Sequence, residues 1–351
     1  MTLADVLSVA VASVASWALH RYLTLGDDPF VRWVHEPLAF AGAAALAGAV
    51  DVFYTSVLPG PLALTKVLGL VMAGLVRLLL YRTVLLSPLR HDLLVRRPDR
   101  PPAAGDRRLT VVVPAFREES RIAATIDELR HALAGVDVEI VVADDGSPDD
   151  TAGVAAAAGA TVVRLEPNQG KGAAVRAGVL AASGRTIAFT DADLAYPPEQ
   201  LRTLLAAVED GWDVAVGNRW HPDSVAVQRP STLRQLSSRM FNLLTAAVLL
   251  GRYRDTQCGC KAFRSDAAQM IFERTRVDGF AFDVEVLHLV ERYRLSLTEI
   301  PVRVNDGGES TIRVGTAALR MVRDLVRVRR WAGRGAYDLA DDVAGDRGAS
   351  H

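Results

Sequence analysis

From Leu109 to Thr190 the chain repeats one alternation that few folds accept. Short runs rich in β-formers, at Leu109–Val113, Val138–Ala143, Thr161–Leu165 and Thr186–Thr190, alternate with stretches of helical spacing. Apolar runs this short read as strands buried on both faces. Between them, Glu118–Ala134 carries Ile122, Ile126 and Leu129 on one face, Asp149–Ala157 is rich in alanine, and Lys171–Ala182 forms a third helical stretch. Strands joined through helices run parallel, so the alternation predicts an α/β domain with a mostly parallel sheet and flanking helices. Ligands of such sheets collect at the carboxyl ends of the strands.

The polar residues gather at those ends. The first strand runs out into Pro114-Ala115-Phe116-Arg117-Glu118, and the second into Asp144-Asp145-Gly146-Ser147-Pro148-Asp149. Asn168-Gln169-Gly170-Lys171-Gly172 follows the third, and Asp191-Ala192-Asp193 the fourth. Each alone has an ordinary turn or capping explanation: Asp149 or Ser147 is a good N-cap, and Gly170 a flexible helix start. Four successive strand ends carrying carboxylates or a glycine-flanked lysine instead describe a pocket for a nucleoside diphosphate. An Asp-x-Asp in extended chain projects both carboxylates to one side, and two hard oxygen ligands suit Mg²⁺ or Mn²⁺ carrying phosphates. A carboxylate after the second strand, Asp144 or Asp145, can accept a base N–H and ribose hydroxyls. Lys171 adds positive charge beside the N–H groups of a helix start.

Charge excludes one class of partner. The net charge of -1 leaves no basic field to hold a nucleic acid backbone. Half the residues are hydrophobic, and the excess lies in residues 1–90, where segments 3–19, 38–58 and 62–86 are dominated by Leu, Val and Ala. The second and third are long enough to span a bilayer of about 20 apolar residues, although Asp51, Lys66, Arg77 and Arg82 interrupt them. Residues 1–90 are therefore expected to be a helical membrane region, with a buried helical hairpin of a water-soluble domain as the competing reading. Arginines 90, 96, 97, 100, 107 and 108 follow, so the positive-inside rule puts the rest of the protein at the cytoplasmic face of the cell membrane. Residues 91–108, rich in Pro and Arg, read as a linker. Cys258 and Cys260, the two cysteines present, imply no disulfide framework.

Taken together, Pro114…Glu118, Asp144-Asp145-Gly146-Ser147, Asn168…Lys171-Gly172, Asp191-Ala192-Asp193, Gly217-Asn218-Arg219 and Asp255-Thr256-Gln257-Cys258-Gly259 resemble the family 2 glycosyltransferases of GT-A (Rossmann-like) fold. Within that family they resemble the branch acting on polyprenyl phosphates: dolichyl-phosphate glucosyltransferases and mannose synthases. The resemblance covers residues 109–315. It departs at Phe116 and Arg117, where the family usually has Tyr and Asn. It implies an inverting transferase moving a hexose from a nucleotide-sugar to a polyprenyl phosphate. UDP-glucose leads as donor, because Asp255-Thr256-Gln257-Cys258-Gly259 is closer to the glucosyl branch; GDP-mannose is the alternative. It also implies that Pro114, Phe116, Glu118, Asp144, Asp145, Lys171 and Asp191 contact the nucleotide-sugar and that Asp191 and Asp193 hold the metal. Arg219, Arg234 and Ser238 would take the acceptor phosphate; Arg234, Ser238 and Asn242 share one face at helical spacing. Asp193, Lys171 and Asp255 would be catalytic. An anionic phosphate acceptor needs no general base, so Asp255 is expected to orient, or to act as a modest base for a monoprotonated phosphate. A saccharide hydroxyl acceptor would make it the base. A homo-oligomer is left open.

Further along, residues 240–250 are strongly apolar and suit either a core helix or one at a lipid interface. Phe280 and Phe282 are expected in the core, Glu299–Val304 as a last strand, and Asn305–Ser310 as a glycine-rich loop over the donor. In 316–337 Arg320, Arg323, Arg327 and Arg330 form one face of a helix, and Leu319, Val322, Leu325 and Val326 another. Such a helix suits attachment to a membrane surface or cover for a sheet edge. The tail, 338–351, is acidic and expected to be disordered.

Overall fold

The computed structural model describes residues 96–226, 255–305 and 314–339, together with Leu46 and Ala49, which are helical. Apart from Leu46 and Ala49, the three apolar N-terminal segments lie outside the described residues, as do residues 240–250, the glycine-rich loop beyond Asn305 and the acidic tail beyond 339. The chain divides into a unit of residues 92–329 and a unit of residues 1–91 with 330–351. Among the described residues no helix is long and apolar enough to cross a membrane.

Nine strands are described: β1 (Arg107–Ala115), β2 (Val138–Asp144), β3 (Thr161–Arg164), β4 (Gly184–Phe189), β5 (Val214–Asn218), β6 (Val225–Ala226), β7 (Lys261–Arg264), β8 (Leu297–Pro301) and β9 (Arg303–Val304). The helices are α1 (Ile122–Ala132), α2 (Thr151–Ala157), α3 (Lys171–Ala181), α4 (Gln200–Glu209), α5 (Ser265–Phe272), α6 (Phe282–Arg292) and α7 (Val314–Ala332). The main sheet has the order β3-β2-β1-β4-β7-β5-β8, and β6 pairs with β9 apart from it. In the main sheet β7 alone is antiparallel to its neighbours, β4 and β5. The order reverses at β1, which pairs in parallel with β2 on one side and β4 on the other. This is the switch point where open α/β sheets form a ligand crevice.

From Leu109 onward β1 is buried residue after residue, as a central parallel strand must be when helices cover both faces. On one face Val111 and Val113 join Ile122, Ile126 and Leu129 of α1 and Leu201, Leu204, Leu205 and Val208 of α4 in one core. The other face carries α3, α5 and α6, with Phe189, Phe263, Phe272 and Phe282 as neighbouring rings 5.5 to 6.2 Å apart between centroids. Each fully buried Leu, Ile or Phe contributes roughly 1.5–3 kcal/mol, so these layers fix the ends of β1, β2 and β4 firmly.

Several expectations shift. The first helix begins at Ile122, not Glu118, because Arg117 has a left-handed backbone (φ 62) and residues 118–121 form a turn. Phe282 is buried, but Phe280 is 47% exposed. The core reading fails for Phe280 because it stands ahead of α6, on the turn before the buried helix face. Val326 is 39% exposed while Leu325 and Val328 are buried, so Val326 belongs with the exposed Arg323 and Arg327. The segment read as a linker is strapped along the domain from residue 96 on. Arg97 N–H donates to Gly211 O (3.0 Å), Arg100 pairs with buried Asp213, and Ser265 Oγ donates to Ala104 O (2.7 Å).

Candidate active site

The loops after β1 and β2 are tied into one floor. Arg117 N–H donates to Ser147 Oγ (3.0 Å), and Glu118 N–H to Thr151 Oγ1 (2.9 Å). Pro114 is buried inside β1, opposite Ala143. Two residues on, Phe116 stands out of the sheet, 42% exposed, with the Arg117 guanidinium 5.4 Å from its ring centroid. Arg117 thus uses its backbone to bond the second loop and its side chain against the ring. Glu118 is half-buried and pairs with Arg121 (2.8 Å). Burial pushes its carboxyl above the usual range; the charges of Asp193, Asp149 and Asp191 push the same way, against Arg121.

Asp144 and Asp145 are adjacent, identical and differently used. Asp145 Oδ1 accepts from Gln169 N–H (2.7 Å), and its Oδ2 from Gly170 N–H (2.8 Å) and Asn168 Nδ2 (2.9 Å). That carboxylate is the clasp of the loop that delivers Lys171. Asp144 is fully buried; its Oδ1 accepts from Ser147 N–H (3.2 Å), but Oδ2 has no hydrogen bond. The guanidinium of Arg164 stands 3.5 Å from that oxygen, close enough for charge attraction and too long for a good bond. A buried carboxylate oxygen left so poorly satisfied costs free energy.

Gly170 has φ 112, and a Cβ there would meet Asp278 O at 2.5 Å, so only glycine brings the chain into α3 at this point. The Asp278 carbonyl accepts from Gly172 N–H (2.7 Å) and Ala173 N–H (3.3 Å). This corrects one expectation. Gly172 and Ala173, at the start of α3, are capped by the protein itself, so these N–H groups are not free for an anion. Lys171 Nζ pairs with Asp191 Oδ1. Burial opposes the charge on Lys171, yet Asp191, Asp283 and Asp193 outweigh it, and its pKa is raised.

A second correction concerns Asp191 and Asp193. The chain leaves β4 at Phe189, and Leu194 N–H donates back to Asp191 O (3.1 Å), with Leu194 at φ 45. The two carboxylates therefore sit on a tight turn, and strand alternation does not relate them. Ala192, between them, is buried; Asp193 is exposed and its Oδ1 accepts from Ala195 N–H (3.1 Å). Both aspartates act on Lys171 and on Glu118, so they share one neighbourhood. Gly259 closes it: a Cβ there would lie 2.4 Å from Asp191 Oδ2.

Because β7 runs antiparallel, its amino end, and with it residues 255–260, lies beside the carboxyl end of β4. Asp255 is buried there and held by Arg219 in a bidentate pair, Nε to Oδ2 and Nη2 to Oδ1, both 2.7 Å. Arg219 N–H (3.0 Å) and Gln257 N–H (3.3 Å) complete its set. Burial alone would raise the Asp255 pKa, but the Arg219 hydrogen bonds and charge overcome it and hold the carboxyl below the usual range. The Arg219 guanidinium hydrogen bonds described, from Nε and Nη2, both go to Asp255. Arg234, Ser238 and Asn242 lie outside the described residues. Cys258 and Cys260 are free and buried; burial pushes the Cys258 thiol up to about 11, so neither is poised as a nucleophile.

Two functional candidates were not singled out in the sequence. Lys261 is fully buried and pairs with Asp283 (2.6 Å), and Asp278 supplies the cap of α3. The signal for Lys261 was a lone lysine alternating with Phe263 on a buried strand face, which needs a buried partner.

Mg²⁺ or Mn²⁺ fits this donor set. Asp191 and Asp193 offer hard oxygens, and Oδ2 of Asp191 faces the space that a side chain at Gly259 would fill. Among the described residues no group of three or more His, Cys, Asp or Glu is placed to hold a metal. Two protein ligands leave positions for substrate phosphates and water, as is usual for Mg²⁺.

Residues 110–272 match the family model of Glycosyl transferase family 2. The chain is 35% identical over 240 residues to a dolichyl-phosphate beta-glucosyltransferase of Drosophila melanogaster, covering 63% of this chain and 74% of that one. It is 31% identical over 253 residues to a dolichyl-phosphate beta-glucosyltransferase of Homo sapiens, covering 66% and 78%. In fold it is similar to glucosyl-3-phosphoglycerate synthase from Mycobacterium tuberculosis, solved with Mn²⁺, UDP-glucose and phosphoglyceric acid. The TM-score is 0.51 at 22% identity, over 64% of this chain and 80% of that one.

Proposed function

We propose that this chain, which belongs to glycosyltransferase family 2, moves glucose from UDP-glucose to a polyprenyl phosphate with inversion at the anomeric carbon. The observation that carries the reading is the Lys171–Asp191 pair with Asp193 exposed next to it after β4, together with the poorly satisfied Asp144 oxygen at the end of β2. Together these offer an acceptor for a base or ribose, a cation for a diphosphate and two ligands for a divalent metal. The names of the relatives support the glucosyl donor and the lipid phosphate acceptor.

In this mechanism Phe116 covers the base, Asp144 accepts from it, and Asp145 acts through the loop it clasps. Glu118 and Asp191 line the sugar-diphosphate. An oxygen of the lipid phosphate attacks the anomeric carbon from the side opposite the diphosphate. The new C–O bond forms as the bond to the β-phosphate oxygen breaks, and the electron pair leaves with UDP. A bound Mg²⁺ or Mn²⁺ at Asp191 and Asp193 supplies charge neutralisation for the leaving diphosphate. Lys171, released from Asp191, supplies more, and electrostatic stabilisation of this type is worth about 3 kcal/mol per contact. Arg219 Nη1, with Arg234 and Ser238, receives the acceptor phosphate while Asp255 keeps Arg219 aimed.

The low pKa and full hydrogen-bond set of Asp255 disfavour it as a general base and so disfavour a saccharide hydroxyl as acceptor. GDP-mannose remains the second donor. We place the reaction at the cytoplasmic face of the cell membrane, a reading supported by the exposed Arg320, Arg323, Arg327 and Arg330 of α7 and by the apolar residues 1–90. The deciding experiment incubates the full chain in detergent with polyprenyl phosphate and labelled UDP-glucose or GDP-mannose, with and without chelator. Organic-extractable label from UDP-glucose, abolished by chelation, is expected. Nucleotide release with a saccharide acceptor and no lipid-linked label would overturn the reading.

A further inference from the structure

We propose that the buried Lys261–Asp283 ion pair is the positioning element of the donor site and sets its affinity for a divalent cation together with a nucleoside diphosphate. Lys261 lies opposite Phe189 across β4 and β7, two residues before Asp191 on the facing strand. Its ammonium donates to Asp283 Oδ1 (2.6 Å) and Cys258 O (2.6 Å), with Thr256 O at 3.5 Å, and stands 5.4 Å from the Phe189 ring centroid. An ammonium has three donors and no acceptor, and here all point at one loop and one carboxylate.

That loop is the one that matters. Residues 255–260 form neither helix nor strand, so the cation beneath them does what a ladder does elsewhere. Drawing the Thr256 and Cys258 carbonyls down seats Gly259 against Asp191, where even a Cβ would come within 2.4 Å of Oδ2. Lys171 holds the other oxygen of Asp191. Asp283 lies in the field of both lysines, at the first turn of α6, so it anchors Lys261 and its charge also attracts Lys171. Asp191 is thereby bracketed between Lys171 and the Gly259 turn, and both brackets lead back to one pair. A purely structural role is the weaker account, because buried pairs replaced by apolar residues of similar volume often leave stability unchanged or higher.

This inference rests on the reading that Asp191 and Asp193 hold the cation of a diphosphate. The test is Mn²⁺ binding to the full chain, followed by the paramagnetic resonance of free Mn²⁺, with and without UDP. Lys261→Met alone strands a buried carboxylate, so the double variant Lys261→Met with Asp283→Leu carries the experiment. Its expected melting temperature is at or above that of the unaltered protein, while its Mn²⁺–UDP affinity falls about tenfold or more, the usual effect of losing an outer-shell partner. A folded double variant with unaltered affinity would overturn the positioning role and leave the site reading intact. Failure of the unaltered protein to bind Mn²⁺ with UDP would sink the site reading itself. Should the double variant not fold, Asp283→Asn keeps an acceptor for Lys261 and removes the charge; several-fold weaker Mn²⁺–UDP binding is expected, and unchanged binding counts against the proposal.

Discussion

The two halves of the sheet treat their acidic side chains differently. At the ends of β2 and β4, Asp144 keeps an oxygen without a hydrogen bond, and Asp191 and Asp193 share one lysine. Around β5, β7 and β8 the buried aspartates each meet a cation of their own: Asp213 meets Arg100, Asp255 meets Arg219, and Asp283 meets Lys261. Burial is costly for any carboxylate. Where the protein supplies the compensating cation, the group holds the scaffold or positions the loops of the site. Where it leaves compensation incomplete, the site is prepared for a ligand that brings its own donors and cations.

The sharpest way to break this contrast is Asp193→Asn. Sugar transfer should fall by about 10²–10³-fold with the melting temperature unchanged, because Asp193 is exposed and supports no buried contact beyond its own turn. Near-normal turnover that still requires metal would remove the ligand half of the comparison.

Arg219→Gln tests the scaffold half. It leaves Asp255 buried without its cation and should cost about 3 kcal/mol at pH 7. In the unaltered protein the Asp255 pKa is depressed, so its contribution to stability is present above the unfolded value of about 3.9 and is lost as pH falls through the folded one. In the variant burial dominates and raises that pKa, so the stability gap should narrow on acidification from pH 7. Urea unfolding at several pH values reads this directly, and a gap that stays constant or widens contradicts it.

Asp144→Asn and Asp145→Asn compare neighbours in sequence. The first should weaken UDP binding by about tenfold with stability unchanged or improved, since it removes an under-compensated buried charge. The second should cost about 1–3 kcal/mol, because three donors of the Asn168–Gly170 loop lose a charged acceptor. Calorimetry with UDP beside thermal melts separates the two, and identical behaviour would erase the difference between these neighbouring carboxylates. The smallest effect belongs to Glu209→Gln. Its bidentate pair with Arg108 (2.6 and 2.8 Å) is largely exposed, so less than about 1 kcal/mol is expected, and UDP affinity should not move.

Much of this was legible in the chain itself. Continuous apolar runs and 3.6-residue spacing are local properties, so β1 to β4 and α1 to α3 could be placed within a few residues. The same holds for the motifs at their ends, since a strand followed by a helix can present its polar residues only at the turn between them. The reversal of β7 was not legible. Lys261–Arg264 is four residues long and carries no signal that inserts it between β4 and β5. Nor could the chain say that Asp191 and Asp193 leave the strand on a turn, that Asp278 caps α3, or that Phe280 and Phe282 part company.

What the sequence by itself determined is the fold class, the direction of the four leading strands and the polar residues gathered at their carboxyl ends. Only the tertiary structure decided which of those residues are already satisfied. The donors that occupy Asp145 lie 23 to 25 positions away, the cation on Asp255 lies 36 away, and Lys261 reaches Asp283 across 22. Periodicity reports on neighbours within a turn or a strand, whereas the satisfaction of a buried charge depends on groups that meet only when the sheet closes.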